Sequence, residues 1–128
     1  MPKTTNFKQL VGHSTLRVAV MGPANRAATA QELEQMKELL KDAMEHGAAG
    51  LSTGLIYTPS CYATTDEIVE LAKVIAPYGG IYASHIRNES YDSLRAVQEV
   101  LELSLIHISL CRWKSCSRSK TWCICGCR

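Results

Sequence analysis

Apolar positions recur along this chain with two different periods, and the switches between them mark out its elements. Over residues 29–46, Leu33, Met36, Leu39, Leu40, Ala43 and Met44 return at the three- and four-residue spacing of one helix face. Ahead of them Thr29-Ala30-Gln31-Glu32 reads as a capping box, the Thr hydroxyl taking a free backbone N–H and Glu32 reaching back. Gly47 is a natural left-handed stop. Gly50-Leu51-Ser52-Thr53-Gly54-Leu55-Ile56-Tyr57 is short, apolar and β-tolerant, and Pro59 closes it, which predicts a buried strand running into a loop. The pattern then repeats. Thr64-Thr65-Asp66-Glu67 reads as a second capping box, Ile68, Leu71, Ala72 and Ile75 make the stripe, and Pro77 with Gly79-Gly80 ends it. Ile81-Tyr82-Ala83-Ser84-His85-Ile86 is the next strand, and Ser90 or Asp92 opens a third helix with Leu94, Val97, Val100 and Leu101 on its buried side. This alternation predicts the α/β class, with about three β/α units of parallel sheet covered by helices.

In such folds chemistry gathers at the carboxyl ends of the strands. Three polar features fall there: Gly12-His13-Ser14 after Leu10-Val11, Tyr57-Thr58-Pro59 after Leu55-Ile56, and His85 with Arg87 after the Ile81 strand. His13, Tyr57 and His85 are therefore expected on one face. His85 is the sharpest candidate, since imidazole is the commonest neutral metal ligand; a hydrogen-bonded structural histidine is the alternative. Arg87 and Glu89 could bind an anion or orient His85, or form a solvated loop pair. His13 could be a ligand, a donor behind one, or a histidine of a capped loop. Tyr57 could line a pocket or simply pack before Pro59. His46 ends a helix, where a cation suits the dipole. Glu34, Lys37, Glu38 and Lys41 read as a solvated face.

Composition changes the picture only near the end of the chain. The 128 residues are 46% hydrophobic and 20% charged, ordinary for one soluble domain. Residues 1–104 carry 9 Lys/Arg against all 12 Asp/Glu, whereas residues 105–128 carry 5 Lys/Arg and no acid. Both Trp and five of the six Cys also fall in that last stretch. The first 20 residues hold no apolar run of signal-peptide length, and no membrane partner is expected. Cys61 is alone in the body, so no disulfide framework is implied and a cytoplasmic location is the expectation.

Residues 105–128 admit three readings. The cysteines with His107 could form a structural metal site, although no Cys-x2-Cys pair is present. A basic, Trp-containing tail could bind nucleic acid, but nothing in the body supports that partner. The preferred reading is a Cys/Trp-rich basic tail that is not native protein. Leu103-Ser104-Leu105-Ile106-His107-Ile108 resembles a translated sequencing-library adapter, and a frameshift would leave a similar trace.

Three motifs stand in order: Leu10-Val11-Gly12-His13-Ser14-Thr15-Leu16-Arg17, then Gly50 to Pro59, then Tyr82-Ala83-Ser84-His85-Ile86-Arg87-Asn88-Glu89. Together, over residues 6–104, they resemble the central barrel of the N-acyl-D-amino-acid deacylase (D-aminoacylase) family of metal-dependent amidohydrolases. The resemblance implies that residues 1–104 are an internal piece of a (β/α)8 barrel of the TIM type. It implies zinc as cofactor, with His85 a metal ligand, and Tyr57 with Ile56 lining the pocket for a small N-acyl-D-amino acid. Zinc chemistry of that kind polarises a carbonyl and activates a water, with a carboxylate as acid and base.

The family's His-x-His pair, its ligand Cys and its catalytic Asp have no counterpart here. Leu110 stands where a second zinc-binding His of the next strand belongs, and the turn before that strand is missing after Ser104. Ile106 to Leu110 is still β-prone and is expected to pair beside the Ile81 strand. A catalytic zinc needs about three protein ligands, so no catalytic residue is assigned and this chain is expected to be inactive. Two other readings stay open: a non-catalytic α/β module with a metal on its cysteine tail, and a cyclic-amide hydrolase of the dihydroorotase kind.

Overall fold

The computed structural model describes residues 7–115, with side chains through residue 105. Among these residues, β1 (Leu10–Gly12), β2 (Gly50–Gly54) and β3 (Ile81–His85) form one parallel sheet in the order β1-β2-β3. Leu10 pairs with Gly50, and Gly50 in turn with Ile81; the register runs on to Gly54 beside His85. The crossovers hold α1 (His13–Met21) and α2 (Ala30–Glu45) between β1 and β2, and α3 (Thr65–Ile75) between β2 and β3; α4 (Ser93–Ser115) follows β3. No helix of the described residues is long and apolar enough to cross a membrane. The α/β class and the parallel sheet are as the hydrophobic pattern predicted.

The strand and helix stripes meet in two patches. Met36, Leu40 and Met44 of α2 and Leu71 and Ile75 of α3 pack on Leu51 and Leu16, while Leu55, Ala63, Ile68 and Leu103 close a second patch. The Thr29 hydroxyl accepts from the Glu32 amide and the Glu32 carboxylate answers at Thr29, the box expected from sequence. Arg26 also pairs with Glu32; with these hydrogen bonds it pulls the Glu32 carboxyl down to about 2. Gly50 makes the sheet possible. Its φ is 152°, and a Cβ there would stand 1.9 Å from the Ile81 carbonyl oxygen, so only glycine lets β2 and β3 approach.

Three expectations change. First, His13 does not sit in a loop; Gly12 caps α1 and His13 opens it. Thr15, Val18 and Val20 are poor helix formers, which conceals a helix held by its buried face. Second, the buried side of α4 is not Leu94, Val97 and Leu101, which are 85%, 45% and 58% exposed, but Ala96 and Leu103. Glu99 fixes this face by pairing inward with Arg87 (Nη2 to Oε1, 2.9 Å), and Leu103 completes the patch with Leu55 and Ile68. Third, the backbone of Ile106 to Leu110 continues α4 and does not pair beside β3. No Gly or Pro occurs between residues 91 and 125, so nothing stops the helix. The boundary expected between residues 104 and 105 thus falls inside α4, and residues 116–128 lie outside the described residues.

Candidate functional site at the carboxyl edge of the sheet

All three strands end at one edge. β1 passes straight into α1 at His13. β2 opens into the loop of Ile56 and Tyr57, which continues through a cis Thr58–Pro59 peptide into a 3-10 turn over Ser60–Tyr62. β3 ends on His85 itself. The three residues singled out from sequence therefore share that face, but only two of them meet.

Tyr57 and His85 are in contact, with ring centroids 5.3 Å apart and planes at 58°. The Tyr57 ring also lies over Gly54, where a Cβ would come within 3.0 Å of it. Tyr57 is 61% exposed and Ile56 38%, so solvent reaches both. His85 Nδ1 stands 3.2 Å from the Ile86 carbonyl oxygen. A carbonyl only accepts, so Nδ1 carries the proton of that bond, and in the neutral ring Nε2 keeps its lone pair. Glu89 Oε1 lies 3.4 Å from Nε2. Among the described residues no three His, Cys, Asp or Glu side chains gather to hold a metal ion. Around His85 the described residues gather no such set of side chains that could hold a metal ion with it.

His13 is built differently. It is fully buried, with Nε2 2.9 Å from Glu67 Oε1 and Nδ1 2.8 Å from Ser60 Oγ. Both ring nitrogens meet protein partners, and α1, not a loop, carries the residue. Arg17 Nη1 donates to both Glu67 oxygens at 2.7 and 2.8 Å, while its Nε has no partner among the described residues. Thr64 does accept from the Glu67 amide, yet the second capping box is not closed, because the Glu67 carboxylate turns inward to His13 and Arg17. Burial pushes the Glu67 carboxyl up; the hydrogen bonds from His13 and Arg17 outweigh it and leave the group below its ordinary value.

Arg87 is occupied as well. Its Nε and Nη2 hold Glu99 at 3.0 and 2.9 Å, and Nη1 donates to the Cys61 carbonyl oxygen at 2.8 Å. It thereby fastens the Tyr57 loop to the segment after β3, and is neither an anion site nor a solvated pair with Glu89. Glu99 also accepts from the Thr65 hydroxyl at 2.8 Å. His46 donates from Nδ1 to the Asp42 carbonyl oxygen, and this bond raises its pKa, in keeping with a helix-end role. Arg17, Ser60, Glu67 and Glu99 were not singled out by sequence. Each has an ordinary local reading, and their side-chain partners stand 12 to 54 positions away.

No family model matches the chain. It is 44% identical over 102 residues to a D-aminoacylase of Alcaligenes xylosoxydans xylosoxydans, covering 80% of this chain and 21% of that protein. An N-acyl-D-aspartate deacylase of the same organism is 45% identical over 101 residues, covering 78% of this chain and 20% of that protein. The chain belongs to the D-aminoacylase family. Solved structures agree: a D-aminoacylase described as defining a novel subset of amidohydrolases superposes with TM-score 0.74 at 41% identity, over 77% of this chain and 21% of its own. The N-acyl-D-glutamate deacylase of Bordetella bronchiseptica, complexed with zinc and a phosphonate inhibitor, gives 0.72 at 43% identity, over 76% and 20%. The chain spans about a fifth of the length of these D-aminoacylase relatives.

Proposed function

We propose that these residues form part of the pocket of a zinc-dependent hydrolase that removes the acyl group from N-acyl-D-amino acids. In this reading β1, β2 and β3 are consecutive staves of a closed (β/α)8 barrel. The observation that carries it is the Tyr57–His85 contact at the carboxyl edge of the sheet, in a chain 44% identical to a D-aminoacylase. His85 offers Nε2 to the metal, its ring oriented by the Ile86 carbonyl. Tyr57 and Ile56 offer an apolar wall to the substrate, with the Tyr57 hydroxyl as a polar tip. Among the described residues no three His, Cys, Asp or Glu side chains gather to hold a metal ion, so no chemical step is assigned to this chain. The relatives' names, all N-acyl-D-amino-acid deacylases or D-aminoacylase, favour linear amides over cyclic ones.

The test is a chimera in which residues 7–104 replace the matching segment of a full-length D-aminoacylase. Zinc-dependent hydrolysis of an N-acetyl-D-amino acid is expected, and His85→Ala should abolish it with loss of bound zinc. A chimera that folds and binds zinc through the other ligands, yet keeps full activity after His85→Ala, overturns the assignment.

A further inference from the structure

Glu67, His13 and Ser60 form a carboxylate–imidazole–hydroxyl string, with links of 2.9 and 2.8 Å. The same string activates serine nucleophiles in hydrolases. Here it cannot, because Ser60 is fully buried and no substrate can reach its oxygen. The protons show what the string does instead. The Glu67 carboxylate only accepts, so His13 Nε2 carries a proton. In the neutral ring Nδ1 must then accept from the Ser60 hydroxyl. Ser60 Oγ is left to accept from Ser14 Oγ, 2.7 Å away. With the ring neutral, every bond runs one way: Ser14 to Ser60, Ser60 to His13, His13 to Glu67. Arg17 locks the far end by gripping both Glu67 oxygens.

Ser60 is also the first residue of the turn that follows Tyr57 and Pro59. The Cys61 amide bonds back to the Tyr57 carbonyl at 2.9 Å, so a shift of this turn moves the Tyr57 backbone. Side chains tether the loop on two sides: His13 and Ser14 from the buried side, and Arg87 through the Cys61 carbonyl from the β3 side.

We propose that His13 is a positioning residue: fixed by Glu67 at Nε2, it holds Ser60 through Nδ1 and so keeps the Tyr57 ring packed against His85. The inference draws its use from the pocket reading above, but its test does not depend on zinc or on turnover.

The test is NMR on the full chain. In the wild type, the long-range 1H–15N spectrum should show His13 protonated on Nε2, with that proton slow to exchange; a neutral ring protonated on Nδ1 overturns the proposal. His13→Asn places an amide where Nδ1 stands and keeps the Ser60 link. His13→Gln reaches Glu67 and loses Ser60. His13→Gln and Ser60→Ala should lose the Tyr57–His85 NOE cross-peaks and the ring-current shift on His85, while His13→Asn keeps them. Thr29→Ala, which loses the α2 cap shared with Glu32, should lower Tm and leave those signals unchanged. Full Tyr57–His85 signals in folded His13→Gln and Ser60→Ala would sink the idea. So would loss of those signals in Thr29→Ala, since general loosening would then explain it.

Discussion

Glu67 shows how a residue's use can differ from what its neighbours suggest. Third in a helix after a threonine cap, it has a local task; in the fold it neutralises a buried arginine and orients a buried histidine. Replacing it with glutamine leaves Arg17 charged and underpaired, which costs about 3–5 kcal/mol when a buried pair is broken from one side. The cost should depend on pH. The folded-state carboxyl titrates below its unfolded value, so its stabilisation is complete above the unfolded pKa and is lost as pH falls through the folded one. Urea denaturation at neutral pH and again below about pH 4, the unfolded glutamate range, should show the gap between wild type and Glu67→Gln shrinking as acid is added. A gap constant across that range would contradict the pairing. At this scale sequence made the placement of His13, Tyr57 and His85 at the carboxyl edge legible, because each follows an apolar run. It did not show that His13 bonds Ser60 and Glu67 or that Arg17 grips Glu67, because periodicity assigns each side chain to its own helix and cannot see a partner 47 to 54 residues away.

Among the elements, α2 and α3 were readable because a single face of each carries the burial, and the strands because each is a short, largely apolar run between helices. The helix α4 was misread for a physical reason. Its most apolar stripe, Leu94, Val97 and Leu101, faces away from the sheet, and an ion pair at Glu99 with Leu103 behind it sets the inner face. Leu103→Ala should therefore cost about 2–5 kcal/mol, the usual range for a buried leucine. Leu94→Ala should stay within about 0.5 kcal/mol, as for a surface site. Equal effects in thermal denaturation would mean the inner face is wrongly assigned. For β2 the decisive position has no side chain at all. Gly50→Ala drives a methyl into the Ile81 carbonyl, and a loss above about 4 kcal/mol, or failure to fold, is the expected result.

As a whole the molecule has the parallel α/β architecture its hydrophobic pattern announced, because helix stripes and short apolar strands leave few ways to bury both. The extent of α4 and the course of the chain after residue 104 were not legible, since β-prone residues such as Ile106 and Ile108 carry no signal strong enough to stop a helix already under way. The pocket is likewise partial. With one candidate zinc ligand at its edge, the 128-residue chain is expected to show no hydrolysis of N-acyl-D-amino acids at any zinc concentration, measured as free amine released. Turnover above the zinc-only background that disappears with His85→Ala would show that the chain completes its own centre.

The Arg17–Glu67 pair has a consequence for time as well as for stability. Its members stand 50 positions apart, with α2 and β2 between them, so the two charges can meet only after the intervening chain has docked. Charged groups shed water late when their partner arrives late, and interactions absent from the folding transition state act on the escape rate alone. Stopped-flow refolding of Glu67→Gln should then match the wild type within about twofold, while unfolding accelerates by nearly the whole equilibrium loss, on the order of a hundredfold or more for 3 kcal/mol. The buried charges would thus serve as a latch on the finished fold, with little part in finding it.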